Sequence, residues 1–396
     1  MLKPTILSLT PSVERLLKIW AQRYQPDLSP LISLADRSGV CASLASAASS
    51  KGRAITATKL GGFLLDIRSQ MANIQTNDLY IYIPDIVKLS KADQLSHDVL
   101  LIYKKLIEIY EKRSPTAASL TEISAASEID SLGADLSTWG LPVIKELATE
   151  LEPLLLEFQE QHIASSDWRT MGFVTTLFNF SNHLIPSKLT VYEQVLMKPY
   201  FDFVEEQVAL PWQRVCAAAA SHRLASPVFL LVEQMLPQAK EIANAVYSRL
   251  VQLLPEHRSR RGGLEDAGIT HSCLRDLQMF QAYLWLCFLE GSMAAIEQEL
   301  VDFCVMVMTG LRVEWKMTEL WNELLVEEIF ARTSPEQQLL LQPYTDGLQQ
   351  AFLSQRDRFQ LEMEHSLHLP PAQKERFQVR GSKSFFFPTQ LTDVAN

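Results

Sequence analysis

The stretch 92–112, ADQLSHDVLLIYKKLIEIYEK, decides the fold class of this chain. Leu95, Val99, Ile102, Leu106 and Ile109 recur at steps of four and three, and Tyr110 widens the stripe. An α-helix turns once every ~3.6 residues, so these side chains share one face. Lys104, Lys105, Glu108 and Glu111 take the other side, where Lys104 and Glu108 stand one turn apart with opposite charge. The spacing predicts a helix that buries one stripe against neighbours.

The same texture extends in both directions. Thr10-Pro11 reads as a cap followed by a first-turn proline, opening a helix whose apolar face is Val13, Leu16, Leu17 and Trp20. Pro26 and Pro30 should break it. Thr190-x-x-Glu193 and Ser334-x-x-Gln337 are capping boxes. Pro199 and Pro211 each must start a helix or kink one, because proline lacks the N–H donor. Residues 271–332 give the strongest helical signal, with Ile296, Leu300, Phe303, Val307 and Leu311 on one face. A last helix should run from Pro335 to about Leu367, stopped by Pro370 and Pro371. Glycine is scarce, at 14 of 396 residues, while Leu, Ala, Glu and Gln abound. The expected fold is all-α, a multi-helix bundle. One stretch resists that reading: LYIYI, residues 79–83, is aromatic and β-branched and ends at Pro84, as an edge strand would.

Composition divides the chain. Residues 1–113 read as a small basic helical domain, and 114–140, rich in Ser, Ala and Thr, as a linker. Residues 141–369 read as a larger acidic helical bundle, and 370–396 as a tail with an aromatic patch. The net charge is −10, so the chain as a whole is no general binder of polyanions. Residues 1–76 carry nine basic and four acidic side chains, a balance of +5, which leaves −15 for the rest. With 47% hydrophobic and 21% charged residues the chain has ample material for a core.

Cys41, Cys216, Cys273, Cys287 and Cys304 are widely spaced, with no CxxC, which suits free thiols in a reducing compartment. The stretch MLKPTILSLTPSVERLLK holds only a short, broken apolar run, unlike a secretory leader. The most apolar segment, 279–289, is too short to span a bilayer. A cytoplasmic location is expected.

Motifs for chemistry are missing. There is no GxxxxGK[ST], no GxGxxG and no GxSxG, and the eight histidines are scattered. One Glu-x-x-His pair, Glu362 with His365, lacks the second copy that a carboxylate di-metal site needs. Cys216 and His222 lie some 240° apart around a helix and do not face each other. Neither catalysis, nor a metal, nor a cofactor is expected.

What remains points to contacts. A non-enzymatic regulatory or adaptor role, acting on a protein partner, is the first expectation. Its candidate surfaces are the aromatic tail Phe385, Phe386 and Phe387, the basic loop with Arg258, Arg260 and Arg261, and the acidic stripe Glu319, Glu323 and Glu327. The second is a nucleic-acid-binding regulator built on residues 31–76. There Lys51, Arg53, Lys59 and Arg68 would meet phosphates, and LYIYI would serve as the wing of a winged-helix-like unit. The third is a helical ligand-binding protein whose pocket lies in the C-terminal bundle. Trp285, Trp315 and Trp321 with Met279, Met293, Met306, Met308 and Met317 are the candidate lining.

Overall fold

Capping chemistry sets where the first helix begins. Thr10 is extended, its Oγ1 accepts from the Val13 N–H, and Pro11 occupies the first turn of α1 (Pro11–Ala21). Val13, Leu16 and Trp20 are buried and Leu17 is half-buried, as the spacing predicts. The computed structural model describes residues 7–34, 39–80, 89–126, 135–162 and 168–367, together with Thr5, Ile129 and Leu132.

The rest of the first part comprises α2 (Ser29–Ile32), α3 (Val40–Ala48), α4 (Ser50–Leu60), α5 (Phe63–Tyr80) and α6 (Leu89–Lys112). In α6 the predicted stripe of Leu95, Val99, Ile102, Leu106, Ile109 and Tyr110 is buried throughout. Lys104 does not reach Glu108. It reaches Asp66 at 3.5 Å, and Lys105 approaches Glu108 at 3.9 Å instead. Leu79 and Tyr80 of LYIYI form the last turn of α5 rather than a strand, and residues 81–83 lie outside the described residues. The Tyr80 hydroxyl donates to the Gly172 carbonyl at 2.8 Å and its ring packs on Phe173, so tertiary contacts hold it in helix.

The stretch 114–140 contains α7 (Ala117–Ala125) and a short 3₁₀ turn at Leu136–Trp139, with Ile123 and Trp139 buried. Then follow α8 (Ile144–His162), α9 (Trp168–Leu184), α10 (Val191–Ala209), α11 (Trp212–Ala218), α12 (Pro227–Met235) and α13 (Ala239–Leu253). The predicted capping box closes in both directions at Thr190 and Glu193, opening α10. Pro199 lies inside α10, whereas Pro211 precedes α11 and starts it. Residues 258–263, expected as a loop, form a tight hairpin of β1 (Arg258–Ser259) and β2 (Gly262–Gly263). The chain ends in α14 (Ala267–Glu290), a π-helical turn at Ile296–Leu300, α15 (Val301–Leu311), α16 (Trp315–Phe330) and α17 (Pro335–Leu367). The Ser334–Gln337 box is also formed.

The fold is therefore an all-α multi-helix bundle. Helices from different compositional segments pack on one another. α5 lies on α9, α3 on α7 and α10, and α6 on α8. α1 sits on α11 and α12, α14 packs between α11 and α13, and α16 joins α13 to α17. One apolar core runs through helices from both sides of 114–140. No helix among the described residues is long and apolar enough to cross a membrane.

Candidate functional site

The hairpin, α9, α14, α15 and α16 enclose a cavity of about 140 Å³. On α14, Ile269, Ser272, Cys273, Asp276 and Phe280 line it, a helical spacing that gives one face. Phe303, Val307, Met308 and Leu311 of α15 and Met317, Thr318 and Trp321 of α16 supply an apolar wall. Tyr80, Thr175, Thr176, Arg261 and Arg275 supply polar groups.

The hairpin owes its place to one local bond and one distant one. Gly262 takes φ +127°, and a Cβ there would strike the Asp266 carboxylate at 2.0 Å. That carboxylate instead accepts from the Gly263 N–H at 2.8 Å. The Arg260 N–H donates to the Leu311 carbonyl at 2.9 Å, tying the hairpin to the end of α15. The arrangement brings Arg261 over the cavity.

Charges beside the cavity are unevenly matched. Glu205 is buried and accepts from Asn179 at 3.2 Å, Asn182 at 2.7 Å and His271 at 3.2 Å, with Arg275 at 3.6 Å. Burial alone would raise its pKa. The His271 contact, the Arg275 charge and the Asn182 amide outweigh burial and hold it down to about 2. Arg275 donates twice to Asp276, at 2.9 and 2.7 Å. Burial disfavours its charge, but Asp276 and Glu205 more than offset that and raise its pKa. Arg261 is different. It donates to the Ser272 hydroxyl at 3.1 Å and stacks on Phe180 with its guanidinium carbon 5.7 Å from the ring centre. Among the described residues no carboxylate stands within ion-pair distance of it. Burial lowers its pKa, and the like charge of Arg275 pushes the same way.

The thiols here are quiescent. Burial pushes Cys273 up to about 12 and Cys304 well above the ordinary thiol range. The indole N–H of Trp321 is buried with no acceptor among the described residues, and the Thr318 hydroxyl donates to the thioether of Met308 at 3.1 Å. A second, wider and more polar cleft of about 580 Å³ is lined by Asp27, Asn182, Lys198, Asp202, Glu205 and His271. No group of three or more potential metal ligands occurs among the described residues.

The candidate residues from the sequence scatter. Of the basic loop, Arg258 is exposed, Arg260 half-buried and Arg261 lines the cavity. In the acidic stripe, Glu319 pairs with Arg356 and Glu327 with Arg249, while Glu323 is exposed. Lys51 is exposed, Lys59 pairs with Glu193 at 2.7 Å, and Arg68 sits half-buried beside Met71. Arg53 corrects its expected role. It is fully buried, so its guanidinium cannot meet a phosphate in this fold. Phe385, Phe386 and Phe387 lie outside the described residues, as do the side chains of Glu362, His365 and Met306. Trp321, Met308 and Met317 do line the cavity, whereas Trp285 and Met279 are core and Trp315 and Met293 are half-buried. Cys216 is a buried thiol, and His222 bonds through Nε2 to the Leu289 carbonyl at 2.8 Å.

Sequence reasoning missed Tyr80, Glu205, Arg275 and Asp276. The one signal was the pair Arg275–Asp276 inside the otherwise apolar helix CLRDLQMF, since charges in such a helix need a reason.

The fold and site define a helical protein with a small amphipathic cavity beside a hairpin. Comparison with protein-family models, curated proteins and solved structures gave no match to this chain.

Proposed function

We propose that this chain is a non-enzymatic ligand-binding protein that holds a small molecule in the cavity beside the hairpin. The cavity carries the reading: its walls are mainly apolar and aromatic, with polar groups from Tyr80, Thr175, Thr176, Arg261 and Arg275 among them. Binding is favoured over chemistry by the titratable groups around it. Cys273 and Tyr80 are pushed up and Glu205 down, so each is held in its resting form rather than poised near neutrality. The five free cysteines support a reducing, cytoplasmic setting.

Thermal-shift and native mass-spectrometric screening of small aromatic and aliphatic molecules tests this. Ligands should stabilise the wild type, and Val307→Trp, which fills the cavity, should remove the effect while keeping the helical spectrum. If no molecule of cavity size binds the wild type, the reading fails.

An adaptor role is favoured by a separate observation. Phe63 and Ile74 on α5 are 79% and 60% exposed, and Met71 beside them is 36% exposed. Phe63→Asp combined with Ile74→Asp should then release any protein that the native chain retains. Unchanged retention would end that reading.

A further inference from the structure

We infer that the cavity takes a small monocarboxylate, its carboxylate paired with Arg261 and its apolar body against Phe280, Met308 and Trp321. The inference rests on the ligand-binding reading above and adds the ligand's chemistry.

Charge matching leads to it. Arg275 is already held by Asp276 and Glu205. Glu205 in turn is saturated by two amides and His271. That leaves Arg261, which has a hydroxyl and an aromatic face but no anion. A partly desolvated guanidinium without a counter-ion is costly, and a carboxylate matches its flat fork of donors. One cation beside the cavity without an ion pair among the described residues suits one negative charge, and Asp276 nearby disfavours a dianion. The walls from Phe280, Phe303, Met308 and Leu311 offer van der Waals contact rather than hydrogen bonds.

Size narrows the ligand further. A cavity of about 140 Å³ is close to the ~150 Å³ engineered cavity that accepts benzene. A benzene- to benzoate-sized molecule, roughly six to ten heavy atoms, fits such a space.

The test compares benzoate with benzyl alcohol and hexanoate with hexan-1-ol by calorimetry on the full chain at neutral pH. Each carboxylate should bind at least about tenfold tighter than its alcohol, the worth of one charge-assisted hydrogen bond. Arg261→Met keeps much of the apolar stem and should erase that preference while the alcohols bind as before. Carboxyl-labelled benzoate, titrated by NMR in complex with the wild type, should ionise at lower pH than it does free. This readout does not depend on how any variant folds. If acids and alcohols bind alike, if the preference survives Arg261→Met, or if the bound benzoate titrates unshifted, the inference is overturned and the ligand-binding reading stands. If neither acids nor alcohols bind, the ligand-binding reading itself fails.

Discussion

At position 53 a guanidinium is buried among neutral groups. It donates to the carbonyls of Ala48, Tyr110 and Trp139 and to the Tyr200 hydroxyl, and it lies 4.4 Å from the Tyr110 ring centre. Lysine cannot reproduce that fork, so Arg53→Lys should lose about 3 kcal/mol, read from the urea midpoint at unchanged slope. A loss below about 1 kcal/mol would show that these bonds contribute little net. The sequence suggested Arg53 as a phosphate contact because it lies in the basic segment 31–76, rich in small residues such as those of ASSKGRAIT. Those small residues are what make room for it: a Cβ on Gly52 would stand 2.2 Å from the Ser46 carbonyl, so α3 and α4 meet too closely for a side chain there. Glu205 gives a second test. Its pKa falls from 4.5 unfolded to about 2 folded. A depressed carboxylate contributes stability that is fully present above pH 4.5 and is lost as pH falls toward 2. The full contribution is on the order of 3 kcal/mol. Acid unfolding of Glu205→Gln should therefore be flatter than wild type across that window, and parallel curves would refute the assignment.

Among the elements, α10 shows how a local signal gains a tertiary use. Glu193 accepts from the Thr190 N–H at 2.8 Å, completing the box, and also from Lys59 at 2.7 Å and the Thr56 hydroxyl at 3.2 Å. Thr190→Ala should cost about 1 kcal/mol. Glu193→Ala should cost more, because it also strips two donors on α4. Equal losses in chemical denaturation would mean that the link to α4 adds nothing. Caps and long periodic helices such as α6 were legible because their information lies within a few turns of sequence. The hairpin and the end of α5 were not. Arg258–Gly263 closes through the Asp266 carboxylate and the Leu311 carbonyl, and Tyr80 is helical through Gly172 and Thr176. No local pattern contains Leu311, Gly172 or Thr176.

On the scale of the whole molecule, the charge asymmetry acquires an internal meaning. Basic residues of the first 76 face acidic residues of the rest: Arg15 pairs with Glu233, Arg23 with Glu206 and Lys59 with Glu193. Part of the +5 is thus spent inside the molecule rather than on a partner. The cavity was illegible for a related reason, since Tyr80, Arg261, Arg275 and Trp321 converge from distant parts of the chain with no spacing that a motif could capture. Because one core serves both sides of 114–140, urea unfolding followed by tryptophan fluorescence and by circular dichroism should give coincident curves. Residues 1–113 alone should not show cooperative unfolding. Two separated transitions, or a stable 1–113 fragment, would support independent domains. The contacts of α1 also set a timetable. Ser12 donates to the His222 carbonyl at 2.6 Å, and Arg23 donates to Gln278, 255 residues further on, at 2.5 Å. At ~5–20 residues per second, a ribosome delivers that partner on the order of ten to fifty seconds after Arg23. Until α11 and α12, which pack on α1, have also emerged, the apolar face of Leu16 and Trp20 waits without its native cover, so newborn chains of this protein should depend on chaperones that shelter emerging helices.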